Sequence, residues 1–248
     1  MSSQHALRPF RPFTALLGRL PSQCAVCRAW PSRPVCDACV ARFAPPAARC
    51  GGCALPLPEG VTRCGDCVAH PPPLDACLAA CTYAWPWSDA IAAFKFRGEA
   101  GWAAPFATLM RSAPWVEPAL EQCDLVLPMP LAPGRLRERG FNQAHELARR
   151  LCAGKTDASL LLRTRETPAQ SGLARAERLL NLRGAFAVEP LRAERARGRR
   201  IVLVDDVMTS GATTNACVSA LKRAGAQKVI VACFARVLDE ALDHADAA

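Results

Sequence analysis

The stretch IVLVDDVMTSGATT at residues 201–214 decides the fold class of this chain. Its first four residues form an apolar run typical of a buried strand, and a helical pattern follows from Thr213 to Arg223. Gly225 is expected to close that helix as a left-handed cap, and a second apolar run extends from Val229 to Ala232. A strand, a helix and a strand in this order predict a βαβ unit, and therefore a parallel sheet with a right-handed crossover.

The turn inside this unit carries side chains suited to a ligand. Asp205 and Asp206 are expected where the first strand leaves the sheet, and a run of small and hydroxylated residues follows them from Thr209 to Thr214. Backbone N–H groups at a helix N-terminus bind anions, and Gly211 allows close approach of the backbone. The two carboxylates can accept hydrogen bonds from vicinal sugar hydroxyls or reach a divalent ion. The turn thus suits a phosphate and a ribose diol, although acidic pairs at strand ends also serve as metal or phosphoacceptor sites.

Eight of the 14 cysteines form four Cys-x-x-Cys pairs within a short N-terminal segment. Two such pairs complete one tetrahedral zinc site, so the pattern predicts two zinc ions, and four thiolates per ion indicate structural rather than catalytic sites. Sequential pairing is the default, with interleaved pairing, iron–sulfur ligation and a disulfide or redox role as alternatives. The predicted ligands are Cys24, Cys27, Cys36 and Cys39 on one ion, and Cys50, Cys53, Cys64 and Cys67 on the other.

The surroundings of the pairs carry two further expectations. Each Cys-x-x-Cys pair is expected to form a tight turn, called a knuckle here. Left-handed backbone in the knuckles is expected at Gly51, Gly52 and Gly65, and the many prolines exclude long helices there. The remaining cysteines lie in apolar or helical surroundings and are interpreted as packing residues. They are Cys77, Cys81, Cys123, Cys152, Cys217 and Cys233.

The net charge of +9 is concentrated in one part of the chain. Residues 135–200 contain 16 Lys and Arg against 7 Asp and Glu, and the rest of the chain contains 15 of each. This surplus indicates a nucleic-acid surface, a pocket for a polyanionic small molecule, or a solvated arginine-rich surface. The sequence contains no apolar run of about 18 residues and no secretory signal, so we expect a cytoplasmic protein.

The order of the patterns predicts three regions. Residues 1–20 are a lead-in segment, residues 21–70 form the zinc module, and residues 74–240 form the α/β domain after a stiff proline linker at 70–73. Further strands are expected at 78–83, 125–127 and 160–162. Helices are expected at 87–96, with Ser88 as its N-cap, and at 142–151.

Residues 202–213 resemble the signature of type I phosphoribosyltransferases that binds phosphoribosyl pyrophosphate (PRPP), although Ser210 stands where that signature often has a second glycine. Two more stretches resemble ones characteristic of ComF and GntX proteins. The first is LVLPMPL at 125–131 with Arg135 and RGFNQ at 139–143, and the second runs from Arg163 to Phe186. With the zinc module, the resemblance covers residues 16–236.

The resemblance implies an α/β fold, a type I phosphoribosyltransferase-like parallel sheet with flanking helices, preceded by a small double zinc-ribbon module. It also implies a Mg²⁺-dependent PRPP site, in which Asp205 and Asp206 are the catalytic pair that binds the ribose hydroxyls. The implied PRPP-binding residues are Asp205, Asp206, Val207, Met208, Thr209, Ser210, Gly211, Ala212 and Thr213. The implied pyrophosphate and hood residues are Met129, Pro130, Leu131, Arg135, Arg139, Arg163, Gln170 and Arg178.

No residue indicates the acceptor, so three classes of function stay open at this point. The chain could transfer phosphoribose, could bind PRPP as a regulator without catalysis, or could handle single-stranded DNA, since ComF proteins take part in natural transformation. The resemblance therefore implies PRPP as a partner, together with single-stranded DNA or proteins of DNA uptake and recombination.

Overall fold

A computed structural model describes residues 22–165, 182 and 184–238 of the chain. Contacts between residues divide the chain after Ala41 into two units. The second group of paired cysteines therefore belongs to the same unit as the α/β domain, although the sequence pattern suggested a boundary near residue 70.

The first unit contains the first group of paired cysteines. Ser22 and Ser32 form an isolated antiparallel bridge around Cys24 and Cys27, and Arg28 takes a left-handed conformation with φ of 64°. Helix α1, Asp37–Phe43, begins in this unit and places Cys39 in its first turns. It is only seven residues long, as the prolines of this region predict.

The second unit is built on a parallel sheet of four strands. They are β1, Ala76–Thr82; β2, Leu125–Pro128; β5, Arg200–Met208; and β6, Lys228–Arg236. Their order in the sheet is β1-β6-β5-β2, and every neighbouring pair is parallel. The two long strands at the centre come from the predicted βαβ unit, so the predicted parallel α/β sheet is confirmed. Strands β3, Leu161–Arg163, and β4, Phe186–Val188, form a separate antiparallel pair.

Among the described residues, the second unit contains seven further α-helices. They are α2, Gly65–Ala69; α3, Trp87–Phe96; α4, Ala103–Ser112; α5, Val116–Gln122; α6, Pro133–Arg139; α7, Gln143–Cys152; and α8, Ala212–Arg223. Short 3₁₀ segments occupy Ala100–Trp102, Ala153–Lys155 and Pro190–Arg195. Within the described ranges, none of the helices has the length and apolar character needed to cross a membrane.

Two helix starts differ in how they are capped. The helix at 87–96 has the predicted limits, but its N-cap is Pro86 and no side chain caps it. The predicted cap Ser88 is wrong because its N–H already donates to the carbonyl of Ala84, which places it inside the first turn. Asn142, expected as the first residue of the helix at 142–151, is instead the N-cap of α7, since its side-chain oxygen accepts from the N–H of His145.

Strand β5 is longer than its apolar run predicts. Its pairing with β2 ends at Val204, but its pairing with β6 continues to Met208. Asp205 and Asp206 therefore lie inside the strand, which corrects the expectation that they follow it. Since β2 no longer covers β5 at this point, one edge of the acidic pair is open.

Glycine conformations agree with the sequence at one end of α8 and not in the knuckles. Gly225 has a φ of 88°, as expected for a left-handed helix end, and Ala226 donates back to Leu221. Gly51, Gly52 and Gly65 are not left-handed; in the second knuckle region Ala54 has that conformation, with φ of 58°. Gly52 is required for space instead, because a Cβ there would lie 2.9 Å from Sγ of Cys67.

The core of the second unit surrounds the sheet. Phe106 stacks on Phe234 of β6 with ring centroids 3.9 Å apart, and Trp87 meets Phe234 edge to face. Of the six cysteines interpreted as packing residues, five are buried and Cys152 is partly buried. Their positions agree with the packing interpretation.

Candidate functional site

A cavity of about 420 Å³ opens at the carboxyl ends of β2 and β5, where ligands bind in parallel α/β sheets. Most of its lining comes from three segments that are distant in sequence: the end of β2 with α6 and α7, the end of β5 with the start of α8, and the end of α3. Tyr83, after β1, and Arg163 of β3 complete it. The lining residues are Tyr83, Lys95, Phe96, Met129, Pro130, Leu131, Arg135, Glu138, Arg139, Asn142, Gln143, Ala144, Arg163, Asp205, Asp206, Val207, Met208, Thr209, Gly211, Thr213 and Thr214.

The acidic pair forms the floor of this cavity. Oδ1 of Asp205 accepts from the N–H of Asp206 at 2.9 Å, and Oδ1 of Asp206 accepts from the N–H of Val207 at 2.9 Å. These bonds fix both carboxylates through one oxygen atom of each. Burial, and then the charge of Asp206, raise the pKa of Asp205 well above its usual range, while Lys95 acts in the opposite direction.

Lys95 provides the positive charge that faces the pair. Its Nζ lies 3.1 Å from Oδ2 of Asp206, and the two side chains are only 19% and 10% exposed. Sequence reasoning did not select Lys95, and the available signal was weak: a single lysine near the end of the otherwise mostly apolar helix α3. Tyr83 and Phe96, which flank the same part of the cavity, were also not predicted.

The start of α8 forms the second wall. Gly211 is its N-cap, in a left-handed conformation with φ of 77°, and a Cβ there would lie 2.8 Å from Cε of Met208. Thr209, Thr213 and Thr214 line the cavity beside it. The free N–H groups of a 12-residue helix and these hydroxyls suit an anion. Of the predicted loop residues, only Ser210 and Ala212 are missing from the described lining.

The third wall is the turn after β2, which the sequence assigned to pyrophosphate. The N–H of Met129 donates to the carbonyl of Val204, and the side chain of Asn142 donates to the carbonyl of Met129 at 3.0 Å. The turn is therefore anchored both to β5 and to the start of α7. Pro130, Leu131 and Arg135 extend from it along the cavity.

Two more arginines, Arg139 and Arg163, line the cavity. The guanidinium of Arg139 lies over the ring of Phe96 at 5.0 Å and donates to Gln143, and its buried Nε lacks a hydrogen-bond partner among the described residues. Arg163 lies over the ring of Phe186 at 5.4 Å. Gln170 and Arg178, the other predicted hood residues, lie outside the described residues.

The eight paired cysteines form two groups of four sulfurs, in which all sulfurs lie within 4.8 Å of one another. The grouping is sequential. Contacts between sulfurs are 3.9 Å for Cys24 and Cys39 and 3.6 Å for Cys53 and Cys64. Tetrahedral zinc with bonds of about 2.3 Å separates its sulfurs by about 3.8 Å, so both groups could hold such an ion.

Backbone donors favour the thiolate form of one cysteine in each group, whereas burial and the neighbouring sulfurs raise the pKa of Cys39 and Cys67. Burial alone would raise the pKa of Cys24. Backbone N–H groups, among them that of Cys36, donate to its sulfur and lower its pKa to about 6. In the second group, Cys50 likewise has its pKa lowered to about 6 against the effect of burial, and the N–H of Cys64 donates to its sulfur at 3.3 Å. Metal ligation requires the thiolate, so this arrangement fits a metal ion.

The basic stretch at 135–200 is partly neutralised by carboxylates. Asp157 pairs with both Arg192 and Arg195, Glu146 pairs with Arg149 and Arg150, and Arg197 pairs with Glu194. Arg135, Arg139 and Arg163 instead line the cavity. The charge surplus of the sequence therefore serves both surface ion pairs and one polyanion-sized pocket.

A parallel sheet with an acidic pair, a threonine-rich helix start and a basic turn around one cavity is the arrangement of a phosphoribosyltransferase-like protein. The family model described as "Phosphoribosyl transferase domain" matches residues 136–247. "DNA utilization protein YhgH" of Escherichia coli K12 is 32% identical over 180 residues, which cover 68% of this chain and 75% of that protein.

Two further relatives carry names that refer to competence. "Competence protein F" of Haemophilus influenzae is 32% identical over 62% of this chain and 69% of its own length. "Competence protein ComFC" of Bacillus subtilis is 33% identical over 53% of this chain and 52% of its own length. The chain belongs to the ComF family, in which paired-cysteine clusters precede a phosphoribosyltransferase domain.

Proposed function

We propose that this protein binds PRPP together with Mg²⁺ in the cavity of the second unit, and that it acts as a ComF-type phosphoribosyltransferase-like protein in the handling of DNA. One observation supports this proposal above the others: a fixed pair of carboxylates, of which Asp206 is buried, stands just before a helix N-terminus in a cavity lined by arginines. The acidic pair would suit a sugar diol, the start of α8 a 5′-phosphate, and the turn after β2 a pyrophosphate.

The roles of the residues follow from the chemistry of these walls. Asp205 and Asp206 accept hydrogen bonds from the ribose 2′- and 3′-hydroxyls through their Oδ2 atoms. The N–H groups and hydroxyls from Thr209 to Thr214 bind the 5′-phosphate. The turn at Met129 to Leu131 donates to the pyrophosphate, whose growing charge Arg135 and Arg139 neutralise if the leaving group departs. Mg²⁺, when bound with PRPP, would share that neutralisation.

The proposal is tested by calorimetric titration of PRPP in the presence and absence of Mg²⁺. Replacing Asp205 and Asp206 by Asn keeps the size of both side chains but removes two charged acceptors, each worth about 1.5–3 kcal/mol in a charge-assisted bond. We expect affinity to fall at least tenfold. Asp89→Asn is the matched control, because Asp89 is exposed on α3 and does not belong to the described lining. Equal affinity in the double variant and the control would contradict the site.

Whether the bound PRPP reacts is a separate question, and a second assay answers it. Release of pyrophosphate from PRPP, measured across a panel of nucleobases and single-stranded DNA, identifies an enzyme and its acceptor. PRPP binding without pyrophosphate release would identify a PRPP-responsive regulator instead. The stretch from Arg163 to Phe186 corresponds to the hood of related enzymes, which would exclude water during transfer.

A role in DNA handling is supported by the names of the relatives and by the surplus of basic residues. In this role the protein would bind single-stranded DNA or a protein of DNA uptake or recombination. Arg149, Arg150, Arg192, Arg195 and Arg197 already contact carboxylates, so DNA phosphates would have to compete with these ion pairs. We therefore expect modest, sequence-independent binding rather than tight binding.

Both cysteine groups are proposed to hold structural zinc ions. The four sulfurs of each group match the ligand number and spacing of a closed zinc site, and neither group lines the cavity described above. All 14 cysteines are free thiols in the structure, which suits the reducing conditions of the cytoplasm, where we place the protein.

A further inference from the structure

The second cysteine group is physically connected to the candidate PRPP loop, and the connection passes through a buried arginine. Arg236, at the end of β6, is only 3% exposed. In the sheet it lies opposite Thr82 of β1 and opposite Met208 of β5. It therefore lies between the edge of the sheet that faces the cysteine group and the strand that carries the acidic pair.

The guanidinium of Arg236 donates to backbone carbonyls on both sides. Nε donates to the carbonyl of Cys53, a member of the second cysteine group, at 2.7 Å. Nη1 lies 3.4 Å from the carbonyl of Met208 and also bonds the carbonyl of Val237. Met208 is the last residue of β5 and a lining residue of the cavity. One rigid side chain thus joins the metal knuckle to the loop that would bind the 5′-phosphate.

A second route between the same elements runs through Cys77 of β1. Its N–H donates to the carbonyl of Gly51 in the knuckle at 2.8 Å, and its thiol contacts Sδ of Met208 at 3.3 Å. The far end of the Met208 side chain in turn occupies the space where a Cβ at Gly211 would lie. Knuckle, Met208 and the N-cap of α8 are therefore packed in series.

The knuckle holds a conformation that the rest of the unit must stabilise. Ala54, directly after Cys53, is fully buried and left-handed, a conformation that is unfavourable for a residue with a Cβ. Its carbonyl accepts from Arg49 at 3.0 Å, so two arginines hold two successive carbonyls of the same turn. Strained backbone of this kind persists only where its surroundings determine it.

We infer that Arg236 is a positioning residue that couples the second metal site to the PRPP loop, so that a metal ion in that site and PRPP in the cavity strengthen each other's binding. This inference rests on the proposed function. The metal ion would fix the cysteine end of this chain of contacts, and PRPP would fix the end at Met208. Each ligand therefore orders contacts that the other ligand also requires. Coupling between two sites is reciprocal, and typical values change affinity by about 5- to 150-fold.

The experiment measures metal release under a chelator challenge, with a colorimetric zinc indicator, with and without saturating PRPP and Mg²⁺. A Cys24→Ser/Cys27→Ser background lacks the first site and so assigns the release phase of the second ion. We expect PRPP to slow the release of the second ion at least about fivefold. In Arg236→Gln, PRPP should no longer slow it. Arg236→Lys keeps a cation and a donor, and should restore part of the effect.

Arg49→Gln is the matched control, because Arg49 holds the same turn but its described hydrogen bonds go to Ala54 and Thr82 rather than to Met208. We expect it to release metal faster while PRPP still slows that release by the wild-type factor. Calorimetry on the same samples separates the two proposals. If PRPP does not bind to the wild-type protein, both are overturned. If PRPP binds but leaves the release of the second ion unchanged, or if Arg236→Gln keeps the full protection, this inference alone is overturned.

Discussion

The ion pair between Lys95 and Asp206 offers the sharpest test of how the acidic pair is stabilised. At the observed separation of 3.1 Å, the Coulomb energy is about 5 kcal/mol for an effective dielectric constant of about 20. Desolvation offsets part of this energy. Breaking a largely buried pair by removing one partner costs about 3–5 kcal/mol, and the residual exposure of Lys95 places the cost near the lower limit, at about 3 kcal/mol.

The perturbation is Lys95→Met, which keeps the length of the side chain and removes its charge. For a domain of this size, about 3 kcal/mol lowers the melting temperature by about 6–12 °C. Thermal unfolding followed by circular dichroism measures this shift. Adding Asp206→Asn to Lys95→Met removes the uncompensated charge, so the double variant should recover much of the lost stability. The four proteins of this double-mutant cycle isolate the energy of the pair.

The pair of Lys222 and Asp75 is the matched control. Its atoms are closer, at 2.6 Å, but its side chains are 29% and 35% exposed. Solvent screens such a pair, so Lys222→Met should cost no more than about 1 kcal/mol. If Lys95→Met melts no lower than Lys222→Met, or if Asp206→Asn adds its full cost to that of Lys95→Met, the acidic pair does not depend on Lys95.

Three further predictions follow from the same site and its surroundings. Because burial raises the pKa of Asp205, the wild-type fold loses stability as pH rises from the ordinary Asp pKa of about 4 through the folded value. Asp205→Asn should therefore melt at a higher temperature than wild type at pH 7–8, and the difference should shrink towards pH 4. Equal melting temperatures at neutral pH would refute this prediction. Protein purified without chelator should contain two zinc ions per chain by elemental analysis, whereas Gly52→Ala, whose Cβ would meet Sγ of Cys67, should contain about one. The logarithm of the affinity for single-stranded DNA should fall with the logarithm of the salt concentration, with a slope of about −0.7 per phosphate contact. Reversing the charges of Arg195, Arg197 and Arg199, at the end of β5 opposite the acidic pair, should reduce that slope and leave PRPP affinity within about twofold. Loss of PRPP binding with retention of DNA binding would contradict the placement of both surfaces.

Local patterns in the sequence determined the central βαβ unit, because each of its parts is specified by neighbouring residues. The apolar runs at 201–204 and 229–232 and the helix that ends before Gly225 all need only local chemistry to form. The four cysteine pairs could likewise be predicted from the sequence, since a Cys-x-x-Cys knuckle is a local turn. Their sequential grouping is what short connecting segments favour.

Only the tertiary structure decided how these parts serve one cavity. The length of β5 depends on β6, which pairs with it to Met208 after β2 has ended, and no periodicity in the strand itself contains that information. Lys95 reaches Asp206 across more than a hundred residues of chain, and Arg236 reaches Cys53 across 183. A lysine in a helix and an arginine at the end of a strand are ordinary in sequence. Their roles arise because a parallel sheet brings the ends of distant strands together, and because a buried charge requires a partner wherever the fold supplies one.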